Sequence, residues 1–303
     1  MEAEFHRWLR EHVPAHARAP LGLSDDAALL SLAGRADLIV TTDLLSDGVD
    51  FRLENDDPRR VGRKALAVNL SDLAAMAARP LAAVVAIALP RTGCGSHTAL
   101  DLAIALYEGL LPLAMEFDVA LAGGDTNTHD GPLVLSVTAL GQLTERGPLT
   151  RSGGRPGDKL LVTGKLGGSI LGHHFDFTPR VREALLLHDR YELHAGMDIS
   201  DGLALDLSRM AAESGCGAVV YADQLPLSEA AQCLPHPPQR ALGDGEDYEL
   251  LLAVAVNVAE AILRDQPLDC LITCVGELVA EQGLWQSVGD GKRTPLEPKG
   301  WQH

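Results

Sequence analysis

Short apolar runs alternate with longer amphipathic stretches along the whole chain, and this pattern predicts a mixed α/β (α+β) architecture. In the first half, the apolar runs predict strands at 38–40, at 81–89, in the four residues before Gly123, and from Leu133 onward. Helical periodicity predicts one helix opened by Asp57 and Pro58 and reaching about Ala78, and a second over about 96–117. Two alternating units of this kind suit a two-domain protein.

The segment at 144–158, rich in Gly, Pro and Arg, interrupts every periodicity and predicts a domain boundary. We therefore assign residues 1–147 to an amino-terminal domain and 148–303 to a carboxy-terminal domain. The second unit contains strand-like segments in KLLVTG, GAVVYA, ELLLAVAV and LITCVGEL, with helices opened near Ser200 or Asp201 and after Asn257. An apolar segment followed by Ser-Asp and a helix occurs at 69–77 and again at 199–211, which leaves an internal duplication open.

The charge composition limits which kinds of partner we expect for this protein. The 303 residues include 25 Lys and Arg against 42 Asp and Glu, a formal net charge of −17. Such a charge repels nucleic acid and anionic lipid, so we expect neither as a partner, and an anionic substrate would need cations. The longest pure apolar run, at 81–89, is too short to span a membrane. The amino terminus lacks the regions of a signal peptide, and five cysteines without a CxxC pair favour buried thiols in a cytoplasmic protein.

Acidic residues stand at the edges of apolar runs, namely Asp25, Asp26, Asp43, Asp125, Asp198 and Asp201. A carboxylate beside a buried strand loses hydration, so it needs hydrogen-bond donors, a cation or a capping role. Each one alone is better explained as a helix cap or turn residue. Together they favour Mg²⁺, which prefers oxygen ligands and uses only one or two carboxylates for each ion.

Asp72 lies inside a predicted helix, where Asp is a poor helix former. It shares a face with Asn69 and Met76, while leucines cover the apolar side. Two interpretations stay open at this point: a residue facing solvent, or a carboxylate that lines a cleft.

Glycine-rich segments offer two candidate ligand loops. Gly123 and Gly124 allow close approach of the backbone to a ligand, although a tight turn explains them as well. The segment VTGKLGGS at 162–169, near Arg151 and Lys165, is either a phosphate cradle or an ordinary strand-to-helix loop. The sequence contains neither a P-loop nor a Rossmann fingerprint. His173 and His174 are adjacent, which does not suit a helical zinc site, so we interpret them as surface or structural residues.

The motifs occur in the order SDDAALL, TTDLLSDGVDF, KALAVNLSDLAAMAA, AGGDTN, LTRSGGRPGD, MDISDGLALDL and DGEDYELL. In this order the chain resembles the thiamine-monophosphate kinases, which belong with the aminoimidazole-ribonucleotide synthetase-like ATP enzymes. The resemblance covers almost the whole chain, and the combination of NLSDLAAM with ISDGL and GEDYEL is specific.

The resemblance implies two α/β domains, with the amino-terminal domains of a homodimer forming a shared β-barrel. It implies phosphorylation of thiamine monophosphate by ATP with several Mg²⁺ ions. Metal ligands are expected at Asp26, Thr41, Thr42, Asp43, Asp72, Asp125, Asp198 and Asp201. Nucleotide contacts are expected at Gly124, Asp125, Arg151, Ser200 and Tyr107, and acceptor contacts at Asp50, Glu246 and Trp301. The direct catalytic roles fall to Asp43, Asp72, Asp125 and Arg151.

The chain departs from the family pattern in several places. Asp50 stands where the family commonly has His, and Ser24 stands where it commonly has Gly. A charged residue, Asp244, interrupts the usual Gly-Gly-Glu-Asp, and the end reads Gly-Trp-Gln-His. Two alternatives therefore stay open: an ATP enzyme of the same superfamily with a different acceptor, or a non-catalytic protein that binds cations or nucleotides.

Overall fold

The computed structural model describes residues 25–31, 37–289 and 291–301, so Ser24 lies outside the described residues. The first half forms a five-stranded sheet from β1 (Ala28–Leu30), β2 (Leu38–Ser46), β3 (Arg79–Pro90), β4 (Ala120–His129) and β5 (Val134–Gln142). Their order is β1-β2-β5-β3-β4, with β3 and β4 parallel and the other neighbours antiparallel. Helices α1 (Pro58–Ala75) and α2 (Ala99–Glu116) supply buried side chains to the core of this unit.

The two helices begin where local signals place them and then pack closely. The Asp57 carboxylate accepts a hydrogen bond from the Arg59 N–H at 2.9 Å, and Pro58 occupies the first helical position, as predicted. A Cβ at Gly109 of α2 would lie 1.7 Å from the Arg59 carbonyl oxygen of α1. Only glycine permits this backbone contact, which fixes α1 against α2 and therefore fixes the direction in which α1 presents Asp72.

The second half forms a seven-stranded sheet in the order β12-β11-β8-β10-β6-β9-β7. Its strands are β6 (Lys159–Thr163), β7 (Ala195–Asp198), β8 (Gly217–Tyr221), β9 (Leu250–Val254), β10 (Ile272–Val279), β11 (Leu284–Val288) and β12 (Lys292–Pro295). Its helices are α3 (His173–Asp176), α4 (Val181–Arg190), α5 (Leu203–Glu213), α6 (Glu229–Gln232), α7 (Pro237–Gly243) and α8 (Val256–Asp265). One face of β6 and β9 packs with α5, and the other joins the core that contains α1.

The expectation that Asp43 and the Gly123-Gly124-Asp125 run follow their strands is wrong. Strand β2 continues to Ser46 and β4 continues to His129, so both features lie inside strands. The reason is that one face of this sheet carries polar and half-exposed side chains, so the apolar run ends before the backbone pairing does. Asp43 alternates with outward-facing Thr42 and Leu44 and therefore points toward the helices.

The predicted boundary segment is anchored to both halves. The Leu149 N–H donates to the Met76 carbonyl oxygen at 3.2 Å, and the Gly196 N–H donates to the Thr150 carbonyl oxygen at 2.9 Å. The division at residues 147 and 148 stays a prediction.

Two further expectations concern membranes and thiols. Among the helices that the structure describes, none combines the length and the apolar character that crossing a bilayer requires. All five cysteines are free thiols; Cys216 is buried, but Cys233 is exposed, so the expectation of burial is wrong for Cys233.

Candidate active site

Three predicted metal ligands from distant parts of the chain meet in the structure. Asp26 lies before β1, Asp72 lies on α1, and Asp198 ends β7. One carboxylate oxygen from each lies within 4.8 Å of the other two. Like charges this close repel strongly in a partly desolvated site. The cluster therefore needs protons, a cation or fixed hydrogen-bond donors.

Burial and neighbouring charge act on this cluster together. Burial, followed by repulsion from Asp43, Asp198 and Asp26, raises the pKa of Asp72 well above its usual value. Burial and the charge of Asp26 do the same to the pKa of Asp198. The Thr41 and Ser71 hydroxyls donate to Asp72 and Asp198, respectively. Asp72 thus lies in the acidic cluster rather than facing open solvent.

Arg151 supplies positive charge at one side of the cluster. Its Nε donates to Asp26 Oδ2 at 2.9 Å and its Nη2 donates to Asp26 Oδ1, which gives a bidentate pair. Its backbone N–H donates to Asp25 Oδ1 at 3.1 Å. Burial, together with the charge of Asp26, raises the pKa of Asp25 to about 6. The boundary segment therefore holds Asp25 and Asp26, the two residues that come just before β1.

Asp43 lies on the face of β2 that points toward the helices. Its Oδ2 atom is buried and has no hydrogen-bond partner among the described residues. Burial, and then the charge of Asp50, raises the pKa of Asp43 to about 6. The Asp50 carboxylate accepts from the Ser46 N–H at 2.7 Å, so it closes the turn after β2. Asp43 thus offers an unused oxygen, whereas Asp50 already has a structural partner.

Four predicted site residues of the second half lie next to one another in the structure. The Glu246 N–H donates to the Ser200 carbonyl oxygen at 2.6 Å, and the Trp301 N–H donates to the Asp201 carbonyl oxygen at 2.8 Å. The Asp201 carboxylate pairs with Arg209 at 2.5 Å. Ser200, Asp201, Glu246 and Trp301 therefore share one neighbourhood.

Other predicted residues lie outside the three-carboxylate cluster. Asp125 on β4 is exposed, and its carboxylate accepts from the Thr126 N–H at 3.0 Å. A Cβ at Gly124 would lie 1.8 Å from the Val85 carbonyl oxygen, so the neighbouring strand already requires this glycine. Thr42 points to the outer face of the sheet and donates to the Val137 carbonyl oxygen at 3.2 Å.

Tyr107 lies on α2 beside an open groove of about 310 Å³. The side chains that line this groove with it are Ala103, Ile104, Glu108 and Leu111. The groove surface is apolar, which suits a flat aromatic ring.

The glycine-rich loop at 162–169 is not a free phosphate cradle in this structure. Its Gly167 N–H donates to Asp247 Oδ1 at 2.9 Å, and its Gly168 N–H donates to Asp244 Oδ2 at 3.0 Å. The ordinary-loop interpretation is therefore the better one, because carboxylates occupy these donors. His174, close by, is buried with Nδ1 at 2.8 Å from the Ser169 carbonyl oxygen, in agreement with a structural role.

Sequence reasoning missed several supporting residues. Lys64 is fully buried and donates to Glu246, Ser71 donates to Asp198, and Asp206 accepts from the Asp201 and Gly202 N–H groups. Asp206 could have been found as the acidic residue in the first turn of the predicted helix, where a carboxylate can accept from backbone N–H groups at the helix start. Lys64 gave no signal, because a lysine in an amphipathic helix ordinarily faces solvent.

The donor set fits Mg²⁺. The grouped side chains offer only oxygen atoms: three carboxylates, with the Thr41 hydroxyl beside them. The Oδ2 atom of Asp43 adds a further oxygen, since it is buried and has no hydrogen-bond partner among the described residues. Asp26, Asp72 and Asp198 are therefore the residues that would hold a hard divalent cation.

The chain is similar to known protein families and to individual proteins over most of its length. The model for the AIR synthase related protein N-terminal domain matches residues 24–143, and that for the C-terminal domain matches residues 155–284. The chain is 41% identical to the thiamine-monophosphate kinase of Rhodopirellula baltica over 100% of this chain and 97% of that protein. It is 35% identical to that of Salmonella typhimurium over 93% of this chain and 91% of that protein.

Solved structures of other proteins have the same fold. The fold superimposes on AaThiL complexed with AMPPCP and TMP with a TM-score of 0.81 at 27% identity, covering 100% of this chain and 95% of that one. It superimposes on thiamine-monophosphate kinase from Stenotrophomonas maltophilia with a TM-score of 0.74 at 35% identity, covering 96% of each chain. The two-domain α/β fold is thus shared across these proteins. The chain therefore belongs to the AIR synthase related proteins and, within them, to the thiamine-monophosphate kinase family.

Proposed function

We propose that this protein transfers the γ-phosphoryl group of ATP to thiamine monophosphate and so forms thiamine diphosphate. The observation that carries the proposal is the convergence of Asp26, Asp72 and Asp198 within 4.8 Å, with Arg151 paired to Asp26. Carboxylates that can hold Mg²⁺, together with a fixed guanidinium, would supply the positive charge that phosphoryl transfer between two polyanions requires. A thiamine-monophosphate kinase matches the chain over its full length, and a protein of similar fold is complexed with AMPPCP and TMP.

In this proposal Asp26, Asp72 and Asp198 hold Mg²⁺, with Thr41 and Asp43 next to them. When bound, Mg²⁺ offsets the repulsion between the two substrates and stabilises charge on the phosphoryl oxygens. Thr41 and Ser71 orient Asp72 and Asp198 through their hydroxyl donors. Thr42, Asp125 and Asp201, which lie outside this cluster, would be ligands of further Mg²⁺ ions.

The nucleotide half of the site uses Arg151, Ser200, Gly124 and Asp125. Arg151 would stabilise charge on the transferred group, because its guanidinium is buried beside the cluster and stays protonated. Tyr107 would contact the adenine base, and the apolar groove beside it supports this placement.

The acceptor half uses Glu246 and Trp301, with Asp50 at the turn after β2. Trp301 is 50% exposed beside Asp201, so its ring is accessible to a ligand. In this proposal no side chain acts as a general base, because the reaction needs none. A phosphate monoester has a second pKa of about 6, so the acceptor is mostly dianionic at neutral pH and attacks the γ-phosphorus in line.

We also propose a homodimer formed through the amino-terminal sheet. Leu44, Leu81 and Val84 are exposed on its outer face, away from α1 and α2. A second copy covering this face would complete a shared β-barrel and remove apolar surface from water. The amino-terminal domain would then carry dimerisation and most of the Mg²⁺ ligands.

Phosphorus NMR of the purified protein with ATP, Mg²⁺ and thiamine monophosphate tests the function. We expect new diphosphate resonances of thiamine diphosphate together with ADP, and none with Asp72→Asn. Release of inorganic phosphate without thiamine diphosphate, or no ADP at all, would reject the proposal.

A different acceptor is the second candidate, and one observation favours it. Asp50 replaces the family His, and its carboxylate accepts from the Ser46 N–H, so this position offers an acceptor and not a donor to a substrate phosphate. A screen of phosphorylated acceptors for Mg²⁺-dependent ADP release separates the two candidates. A sharp fall in the KM for thiamine monophosphate in Asp50→His would favour the different acceptor.

A further inference from the structure

Lys64 is a buried cation at the junction of the two halves. It lies on α1, its side chain is 0% exposed, and its Nζ donates to Glu246 Oε1 and, at 3.0 Å, to the Asp50 carbonyl oxygen. Nζ also lies 5.5 Å from the centroid of the Phe175 ring. A fully buried ammonium is costly unless it is paired and hydrogen-bonded, and Glu246 is the carboxylate that pairs with it.

The two oxygens of Glu246 have different surroundings. Oε1 receives Lys64 and lies 3.5 Å from the Tyr248 hydroxyl, whereas Oε2 has no hydrogen-bond donor among the described residues. The side chain is 27% exposed, so Oε2 is the oxygen that is open to a ligand. The backbone at Glu246 is fixed as well, with φ +55° and its N–H bonded to Ser200. The carboxylate is thus held in one orientation with a single free acceptor.

We propose that Lys64 is a positioning and specificity-determining residue, which neutralises Glu246 and aims Oε2 at a neutral N–H donor of the acceptor substrate. This inference rests on the proposed function, in which Glu246 contacts the thiamine part. Thiamine carries two recognisable groups, a cationic thiazolium and a neutral exocyclic amine on the pyrimidine. An unpaired carboxylate would favour the cation. A carboxylate already paired with Lys64 keeps its acceptor capacity but has little net charge, so it selects the amine.

The first experiment compares thiamine monophosphate with its deamino analogue, in which hydrogen replaces the exocyclic amine. For the unmutated protein we expect kcat/KM to fall at least about 30-fold for the analogue, because Oε2 is left without a donor. A difference below about threefold would overturn the inference, whatever happens in any variant. Absence of turnover with thiamine monophosphate itself would instead reject the proposed function.

The second experiment uses Lys64→Met, Glu246→Gln and the double variant. We expect Lys64→Met to raise the KM for thiamine monophosphate about tenfold, to leave the KM for ATP within about threefold, and to reduce discrimination against the analogue. Because Lys64 acts through Glu246, the double variant should resemble Glu246→Gln alone. Multiplicative effects of the two changes, or an equal rise in both KM values, would contradict a positioning role.

Arg60→Gln is the matched control. Arg60 lies one turn before Lys64 on α1, pairs with Asp176 at 2.6 Å and lies 4.9 Å from the centroid of the same Phe175 ring. Its loss breaks a contact between the same two halves without touching Glu246, so both KM values should stay within about twofold of the unmutated protein. If Lys64→Met does not fold, the double variant carries the comparison, because it removes both charges of the buried pair together.

Discussion

Replacing Asp72 by Asn tests whether the acidic cluster is a cation site rather than a structural feature. Two unit charges 4.8 Å apart repel by about 3 kcal/mol at an effective dielectric constant of about 20. Asp72 has two such neighbours, although bound protons relieve part of the repulsion, since the pKa values of Asp72 and Asp198 are raised. We therefore expect Asp72→Asn to stabilise the cation-free protein by about 1–3 kcal/mol at pH 8.

The stabilisation expected from Asp72→Asn should increase with pH. A carboxyl whose pKa is raised in the folded state imposes no penalty below about pH 4, where the unfolded chain is protonated too. The penalty grows as the pH rises, because the unfolded chain releases its proton first. The advantage of Asp72→Asn should therefore shrink between pH 8 and pH 5.

The assay is denaturant unfolding at pH 8, with EDTA and then with saturating Mg²⁺. Mg²⁺ should stabilise the unmutated protein clearly and Asp72→Asn little, because a ligand stabilises only the state that binds it. Asp130→Asn is the control, since it removes the same charge from a side chain that is 84% exposed. Lower stability of Asp72→Asn in EDTA, or equal stabilisation of both proteins by Mg²⁺, would refute the reasoning.

Three further changes test other parts of the site. Asp43→Asn should lower kcat at least about 100-fold while Tm stays within a few degrees; near-normal turnover at saturating Mg²⁺ would contradict its role. Arg151→Gln leaves Asp26 without its bidentate partner, so we expect a loss of about 3 kcal/mol in unfolding free energy and a higher KM for ATP. Burial raises the pKa of Asp247 to about 7, so Asp247→Asn should weaken the fall in unfolding free energy between pH 4 and pH 7; an unchanged pH profile would exclude this cause.

Local signals in the sequence determined where most helices and strands begin and to which family the chain belongs. Asp57 and Pro58 opened α1 as predicted, because a capping carboxylate and a proline act on backbone groups within one turn. The motifs NLSDLAAM, ISDGL and GEDYEL identified the family, since each is a contiguous run. Strand ends were predicted less well: β2 and β4 continue through polar residues, because pairing with a neighbouring strand, and not hydrophobicity, decides where they stop.

Tertiary structure alone decided which of the predicted residues meet. The family resemblance gave six acidic residues as metal ligands on equal terms, yet packing gathers Asp26, Asp72 and Asp198 and leaves Asp125 exposed on β4. In the folded chain the Gly167 and Gly168 N–H groups donate to carboxylates. Lys64 is buried and pairs with Glu246, which is 182 residues away in sequence. Propensity and periodicity act over a few residues, whereas these contacts follow from how α1 packs between two sheets, which no local pattern encodes.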